Sequence, residues 1–245
     1  MAAEAQPARG SRLTPAAIDA LMAYAARATW PAGFVIYQRG ASADGVFIVL
    51  EGRVVLRSRV RAGRGFIPWI ATPSETFGAE GISATPRYAT EARADDAAAT
   101  LFLSTAKYRS FIREQPQHAT SLLAQILSER AALLEKLREL TTMSVEQRLL
   151  VALSRMATFD SFTRDDGCIV LNTTRYRLLC ELVGATRESV SLVLGRFAGE
   201  GLIERKGSSL IVNPSRLTSR VEELSIDDLL AANTGSIGSA VLLSP

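Results

Sequence analysis

Four side chains near the carboxyl end of the chain combine a cation, an anion, a hydroxyl and an apolar group within one helical turn. They are Arg187, Glu188, Ser191 and Leu192, and helical periodicity places them on one side of a helix. Arginine can bond phosphate or guanine, glutamate accepts from cytosine N4, serine reaches a base or a phosphate, and leucine touches a thymine methyl. A solvated helix face that carries an Arg and a Glu would show the same pattern.

Two helices joined by a tight turn are predicted to hold these side chains. The apolar face of the first helix consists of Leu178, Leu179, Leu182 and Val183. Gly184 permits the turn, and Thr186 is the N-cap of the second helix. The inner face of the second helix consists of Val190, Val193, Leu194 and Phe197. Such a pair is a helix-turn-helix, whose second helix lies in the major groove of DNA.

A basic hairpin follows these helices, because two β runs in LIERKGSSLIVN flank the turn Arg205-Lys206-Gly207. Upstream, Ser144 to Gln147 has the pattern of a capping box that starts another helix, and a short strand, CIVLN, follows it. Helix, helix, helix and hairpin in this order predict a winged helix that binds double-stranded DNA. The expected DNA contacts are Thr174, Arg175, Thr186, Arg187, Glu188, Ser191, Leu192, Arg196, Arg205 and Lys206.

The amino-terminal part of the chain has the pattern of an antiparallel β structure. Thr14 and Pro15 begin a predicted helix, AAIDALMAYAARA, as its N-cap and first residue. From Trp30 onward, FVIYQRG, VFIVLEGRVVLRSRV and GFIPWIA are rich in Val, Ile and aromatic residues and are broken by glycines. A last strand, AAATLFLS, ends at Ser104. Short strands at close spacing predict a sandwich or barrel.

A long helix with an apolar stripe is predicted over residues 117–140, where Leu and Ile recur at spacings of three, four and seven. The helix is too long for one small barrel to cover, since it rises about 1.5 Å per residue. We predict that it joins two copies of the chain in a homodimer. The alternative is a helix packed wholly within its own chain. The predicted interface consists of Leu123, Ile126, Arg130, Leu133, Leu137 and Leu140.

Composition argues against several kinds of site. The two cysteines, Cys168 and Cys180, and the single histidine, His118, are too few for a disulfide framework or an iron–sulfur cluster, and we expect no metal. No enzyme activity is expected, since no paired acids, nucleophile–base set or phosphate loop is recognisable. The longest uncharged stretch, residues 229–245, is interrupted by polar residues, which predicts no membrane span. Without an apolar signal region, a cytoplasmic location is expected.

Charge is unevenly distributed along the chain. Lys and Arg number 28 against 25 Asp and Glu, a net charge of +3, whereas residues 221–245 carry four acidic residues and no basic one. A basic body is compatible with nucleic-acid binding without establishing it. The end of the chain is predicted to be an acidic, poorly ordered tail.

Two stretches resemble one family of bacterial regulators. TRYRLLCELVGATRESVSLVLGRFAGEGLIERKG resembles the DNA-binding region of the Crp/Fnr family of transcription regulators, and VIYQRGASADGVFIVLEGRVVLRS with the later ETFGAEG resembles that family's cyclic-nucleotide-binding-like β-roll. The resemblance implies an α+β fold with an N-terminal β-roll of jelly-roll type, a long dimerisation helix and a C-terminal winged helix-turn-helix. The implied boundaries are 13–115 for the sensor domain, 116–141 for the dimerisation helix, 142–217 for the DNA-binding domain and 218–245 for the tail.

The resemblance also implies how the protein acts. A homodimer would bind a two-fold operator with half-sites about one DNA turn apart, and an effector in the β-roll would reorient the DNA-binding helices. RNA polymerase is a further implied partner. Arg187 and Glu188 match the family's base-reading Arg-Glu pair, and Ser191 matches a position where some members read with serine. Leu192 replaces an arginine of many relatives, so a different operator is expected. The alternative is a ligand-sensing module that acts through protein partners rather than DNA.

The predicted effector pocket departs further from the family. Its candidate residues are Gly78, Glu80, Arg87 and Thr90. In members that bind cyclic AMP, a glutamate after Phe-Gly holds the ribose, but Ala79 stands at that position and the acid comes one residue later. Arg87 matches the family's phosphate-binding arginine only if the alignment is shifted. A buried anion without its cation is costly, so these residues do not support a cyclic nucleotide as the effector, and no cofactor is assigned.

Overall fold

The computed structural model describes residues 12–59, 65–83, 86–157, 163, 167–207, 209–213 and 216. Contacts divide the chain into two compact units, one ending at Thr141 and the other beginning at Thr142. The predicted acidic tail, residues 218–245, lies outside the described residues. Among the described residues, no helix is long and apolar enough to cross a membrane, and no group of three His, Cys, Asp or Glu is placed to hold a metal ion.

Two four-stranded antiparallel sheets form the body of the first unit. The described strands are β1 Ala26–Trp30, β2 Val35–Tyr37, β3 Gly45–Glu51, β4 Val54–Arg59, β5 Gly65–Ala71, β6 Thr76–Phe77, β7 Glu91–Ala94 and β8 Ala98–Ser104. One sheet has the order β1-β8-β3-β6 and the other β2-β7-β4-β5. Aromatic rings fill the core, with the ring centroids of Phe47 and Phe77 4.9 Å apart and those of Tyr37 and Tyr88 3.6 Å apart. The predicted β sandwich is confirmed.

The predicted first helix is partly wrong. Helix α1 spans Pro15–Met22, and Thr14 caps it as predicted, its hydroxyl accepting from the Ala17 amide at 3.2 Å. The predicted continuation through residues 23–28 fails because β1 begins at Ala26 and pairs along its whole length with β8. Pairing with a distant strand outweighs the helix propensity of this alanine-rich sequence.

Two further helices follow the sheets: α2 Thr105–Glu114 and α3 Pro116–Thr142. A short 3₁₀ helix, Ala79–Ile82, lies between β6 and β7. Side chains of α1 and α2 and Leu122 of α3 form a second apolar cluster with β3 and β8. The start of α3 is therefore fixed on the β-roll, whereas its later turns carry exposed leucines.

The second unit has the element order of a winged helix. Its described elements are α4 Val145–Ala157, β9 Ile169–Leu171, α5 Thr173–Val183, α6 Arg187–Gly199, β10 Ile203–Lys206 and β11 Ser209–Val212. The antiparallel sheet has the order β10-β11-β9. The predicted capping box at α4 is confirmed, because Ser144 Oγ accepts from the Gln147 amide at 3.2 Å and Gln147 Oε1 accepts from the Ser144 amide at 2.7 Å.

Candidate nucleic-acid interface

A surface groove of about 440 Å³ lies between the first turns of α5 and α6 and the β10–β11 hairpin. We name it the α6 groove. Four of the predicted DNA contacts line it: Arg187, Glu188 and Ser191 from α6 and Arg205 from β10. All four are exposed. The fold thus brings the first turn of α6 and the β10–β11 hairpin to one surface, and an exposed first helical turn is what a helix that reads the major groove presents.

The turn before α6 determines which face of the helix points outward. Gly184 ends α5 with φ +65°, a conformation that favours glycine, and its amide donates to the Cys180 carbonyl at 3.0 Å. Thr186 then caps α6, because its hydroxyl accepts from the Ser189 amide at 3.3 Å. The four predicted inner residues of α6 are all buried. Leu192, on the opposite face, is 71% exposed.

Tyr176 of α5 contacts both the side chain and the backbone of Arg187. The guanidinium carbon of Arg187 lies 5.4 Å from the centre of the Tyr176 ring, within the range of a cation–π contact. The Tyr176 hydroxyl donates to the Arg187 carbonyl at 3.3 Å. Partial burial raises the pKa of Tyr176, so the hydroxyl keeps its proton. The first helix therefore helps to orient the arginine on the second.

Glu188 is held in its charged form. Its own backbone amide and the Thr186 hydroxyl donate hydrogen bonds that lower the pKa of the Glu188 carboxyl, and the charge of Arg187 lowers it further. The position in the first turn of α6 also favours an anion, because the helix dipole is positive there. Glu188 is therefore a ready acceptor for a base amino group.

Three of the predicted DNA contacts have structural partners. The Thr186 hydroxyl is occupied as the α6 cap. Arg175 is half-buried, and its Nη1 donates to the Val170 carbonyl at 2.9 Å. Arg196 forms an ion pair with Glu146, at 2.6 Å between Nη2 and Oε2. The other predicted contacts outside the groove, Thr174, Leu192 and Lys206, are exposed.

Three residues at the start of α5 line the α6 groove and are absent from the predicted set: Asn172, Thr173 and Tyr176. Asn172 caps α5, its Oδ1 accepting from the Arg175 amide at 3.0 Å. An Asn directly before an apolar-periodic segment is a recognisable helix-start signal. Tyr176 lies three residues before Leu179 and seven before Val183, which places it on the same helix face as the core. That spacing predicts packing rather than exposure to a ligand.

A second concave site, the β-roll cavity, has a volume of about 320 Å³ and lies between the β4–β5 hairpin and the second half of α3. Two of the four predicted effector residues, Glu80 and Thr90, line it. Most of the remaining lining is apolar and consists of Leu56, Phe66, Pro68, Leu133, Leu137 and Leu140.

The other two predicted effector residues, Gly78 and Arg87, do not line the β-roll cavity. Arg87 is exposed, and its Nη1 donates to the Gly40 carbonyl at 2.9 Å. Gly78 has φ +71°, and a Cβ there would lie 3.1 Å from the Tyr37 ring, so it serves the turn. Among the described lining residues, Lys136 is the one basic side chain, and its Nζ lies 3.0 Å from Glu139 Oε2. These residues do not fit a cyclic phosphate, which needs an available cation.

The exposed leucines of α3 follow a regular pattern. Leu123, Leu127, Leu134 and Leu137 are between 53% and 60% exposed, and with the exposed Arg130 they recur at spacings of four and three. Of the other residues predicted for the interface, Leu133 is 40% exposed, while Ile126 and Leu140 are half-buried. Spacings of four and three form the seam of a two-stranded coiled coil.

Two domain profiles match the chain in the order of the fold. The profile of the cyclic nucleotide-binding domain matches residues 27–115, and that of the Crp-like helix-turn-helix domain matches residues 147–220. The chain is 26% identical over 207 residues to the CRP-like cAMP-activated global transcriptional regulator of Mycobacterium tuberculosis, covering 84% of this chain and 92% of the relative. It is 27% identical over 212 residues to the cyclic AMP receptor protein of Thermus thermophilus, covering 85% and 94%.

Solved structures share the fold. A CRP/FNR-family transcriptional regulator of Thermus thermophilus superposes with a TM-score of 0.69 at 24% identity, covering 80% of this chain and 98% of that one. The c-di-GMP-responsive global regulator CLP of Xanthomonas campestris superposes with a TM-score of 0.72 at 16% identity, covering 81% and 99%. The fold is thus a β-roll, a long helix and a winged helix in that order, as the sequence predicts.

The chain belongs to the Crp/Fnr family of transcription regulators. Its function is therefore that of a DNA-binding transcription regulator, as the sequence predicts. The family relationship does not favour the alternative of a module that acts only through protein partners.

Proposed function

We propose that the protein binds a two-fold DNA operator as a homodimer and reads each half-site with the α6 groove. The observation that carries this proposal is the convergence of Arg187, Glu188, Ser191 and Arg205 on one exposed groove. Arg187 bonds a guanine or a phosphate, Glu188 accepts from cytosine N4, and Ser191 contacts a base or a phosphate.

The residues around the α6 groove take secondary roles. We assign Leu192 to a thymine methyl and Thr174, Arg205 and Lys206 to phosphates, and the exposure of all four supports this assignment. Arg175, Arg196 and Thr186 mainly hold the framework, because each is hydrogen-bonded within the second unit.

The exposed stripe of α3 is the proposed dimer seam. Leu123, Leu127, Arg130, Leu134 and Leu137 form it at heptad spacing. This seam shares Leu123, Arg130 and Leu137 with the interface proposed from the sequence. Ile126, Leu133 and Leu140 then lie toward its edge, because they are less exposed.

The remaining parts of the proposal concern regulation. Residues 13–115 form the sensor domain, 116–141 the dimerisation helix and 142–217 the DNA-binding domain, with the β-roll cavity as the effector site. RNA polymerase is a proposed protein partner, the cytoplasm the proposed location, and the protein acts by binding rather than by catalysis.

Selection from random duplex DNA tests the operator proposal directly. Full-length protein is incubated with a random library, and bound sequences are enriched and read. We expect an inverted repeat whose half-sites lie about one helical turn apart. Absence of enrichment, or enrichment of a single asymmetric site, would contradict the two-fold operator.

Salt titration of the enriched site is the second measurement. We expect the logarithm of the binding constant to fall linearly with the logarithm of the salt concentration, because each neutralised phosphate releases counterions. A flat salt dependence would favour a role through protein partners, in which the α6 groove does not contact phosphates.

A further inference from the structure

The β-roll cavity has a charge opposite to the one that a nucleotide phosphate requires. Two carboxyls, Glu80 and Glu129, line it together with the ammonium of Lys136. Lys136 is only 7% exposed and forms a 3.0 Å ion pair with Glu139, which is 1% exposed. The single basic group among the described lining residues is thus neutralised within α3, and the two carboxyls remain to face a ligand.

Glu129 lacks a protein partner in this site. It is half-buried on α3 and has no hydrogen bond or ion pair within the described part of the chain. Burial first, and then the carboxylates of Glu80 and Glu75, raise the pKa of Glu129 to about 8. Glu80 is partly satisfied, because its Oε1 accepts from the Ala89 amide at 3.0 Å. A cation between Glu80 and Glu129 would lower this pKa again, so that Glu129 releases its proton and both carboxyls are charged beside the cation.

The rest of the β-roll cavity is suited to an apolar part of a ligand. Leucines of α3 form one wall, and Leu56, Phe66 and Pro68 of the β4–β5 hairpin form the other. Apolar lining with a few polar groups at one place is the usual make-up of a small-molecule site, and about 320 Å³ lies at the small end of the range for such sites.

We propose that the β-roll cavity takes a small, mainly apolar molecule that carries one amine, with the ammonium received by Glu129 and Glu80, and that it excludes cyclic nucleotides. This inference rests on the proposed function only in treating the β-roll cavity as the effector site. The apolar body packs between the hairpin and α3. An anionic head meets two carboxyls and no available cation in the described lining.

Three probes with one phenylbutyl skeleton test the charge preference, and cyclic AMP is the fourth probe. Full-length protein is titrated by calorimetry with 4-phenylbutylamine, 4-phenylbutanol, 4-phenylbutyrate and cyclic AMP. We expect the amine to bind at least tenfold more tightly than the alcohol, and the carboxylate and cyclic AMP to give no saturable binding. Equal or tighter binding of the carboxylate or of cyclic AMP overturns the proposal, as does failure of the amine to bind at millimolar concentration.

Variants locate the binding site. Glu129→Gln keeps the shape and removes the carboxyl that would ionise beside the ammonium, and we expect it to reduce the preference of amine over alcohol to less than twofold. Glu135→Gln, on the exposed side of α3, should keep the wild-type preference. If Glu129→Gln does not fold, Glu80→Gln serves instead, since its amide oxygen can still accept from the Ala89 amide. An unchanged preference in the folded variant rejects the site.

Operator binding by the same unliganded samples separates this proposal from the proposed function. If the unliganded wild type shows no site-specific DNA binding, the operator proposal is refuted, whether or not the amine binds. Intact DNA binding together with failure of the amine would refute only the amine site.

Discussion

The α6 groove and the β-roll cavity each contain a glutamate, and the environments of these two glutamates shift their pKa values in opposite directions. Glu188 of the α6 groove is exposed at a helix start, where hydrogen bonds from its own amide and from Thr186 lower the pKa of its carboxyl. Glu129 of the β-roll cavity is half-buried, and burial is the main cause that raises its pKa to about 8. At neutral pH the first is an acceptor ready for a base, whereas the second is mostly protonated until a cation beside it lowers its pKa.

This contrast shows which functional residues expected from the family resemblance hold suitable positions in this chain. In the α6 groove, Arg187, Glu188 and Ser191, which the resemblance assigns to base reading, hold exposed positions. In the β-roll cavity the fold is kept, but Arg87 bonds the Gly40 carbonyl and does not line the cavity. Shared fold therefore predicts where a ligand binds more safely than which ligand binds.

The largest expected effect comes from a charge in the proposed seam, and it tests whether two α6 grooves act together. Leu134→Glu should convert a dimer to a monomer, because a charge would enter an apolar contact between helices. Since two half-sites would no longer be bound as one unit, operator affinity should fall at least about 100-fold. Light scattering after size-exclusion chromatography measures the mass, and fluorescence anisotropy the affinity.

Leu134 is 60% exposed, so the substitution leaves the core of the protomer intact. Glu135→Ala, at the next residue and outside the stripe, is the control and should keep both mass and affinity. An unchanged mass for Leu134→Glu would reject the seam.

Two arginines provide the next test of the contrast. Arg187→Ala should weaken binding to the selected operator by about 1–3 kcal/mol and relax discrimination at one base pair. Arg87→Ala should leave operator affinity unchanged, since its guanidinium bonds a backbone carbonyl of the first unit. Competition with single-base variants of the operator measures both effects.

Arg187→Lys separates recognition of a base from attraction to phosphate, because lysine keeps the charge and loses the two-pronged donor. If both Arg187 variants lose the same affinity on all sequences, Arg187 holds a phosphate and reads no base.

The buried carboxyl of Glu129 predicts a pH-dependent difference in stability. The unfolded chain releases this proton near the ordinary value of 4.5, whereas the folded chain holds it to about 8. The contribution of Glu129 to stability therefore falls as pH rises through that window. The full shift would be worth about 3–4 kcal/mol between pH 5 and pH 8. Because Glu129 is only half-buried, solvent screening reduces this value, and Glu129→Gln should gain about 1–2 kcal/mol in free energy of unfolding relative to wild type over that range.

Urea unfolding at fixed protein concentration measures this difference. Glu135→Gln, which removes an exposed carboxyl outside the β-roll cavity, is the control variant. A difference between Glu129→Gln and wild type that stays constant from pH 5 to pH 8 would contradict burial of the carboxyl.

The smallest expected effect concerns the cap of the recognition helix. Thr186→Ala should lower the free energy of unfolding by about 1 kcal/mol, because the Ser189 amide loses its acceptor. Thr186→Ser keeps an oxygen at that place and should lose less than half as much. Equal losses in the two variants would mean that the threonine methyl, rather than the hydroxyl, stabilises the turn.

The α6 groove was largely predictable because its determinants are local in sequence. Gly184 at a helix end and Thr186 at a helix start are signals that act within a few residues. The inner and outer faces of α6 then follow from its period of 3.6 residues. The contact between Tyr176 and Arg187 could not be predicted in this way, since contacts between two helices depend on the angle at which they cross.

The β-roll cavity and β1 depend on neighbours that are distant in the chain. The lining residues come from a hairpin, a 3₁₀ helix, a loop and α3, and no periodicity relates Leu56 to Glu129. Strand β1 likewise lies in an alanine-rich segment whose local preference is helical, and only β8 makes it a strand. Where tertiary pairing competes with local propensity, sequence patterns lose their predictive value.

Leu137 belongs to both the wall of the β-roll cavity and the exposed leucine stripe of α3. A bound effector and the second subunit of the dimer would therefore both contact the Leu137 side chain. Thermodynamic reciprocity then requires that whatever occupancy does to subunit association, association does in equal measure to occupancy. If effector binding changes dimer stability, dilution of the protein, which dissociates the dimer, would change the affinity for the effector.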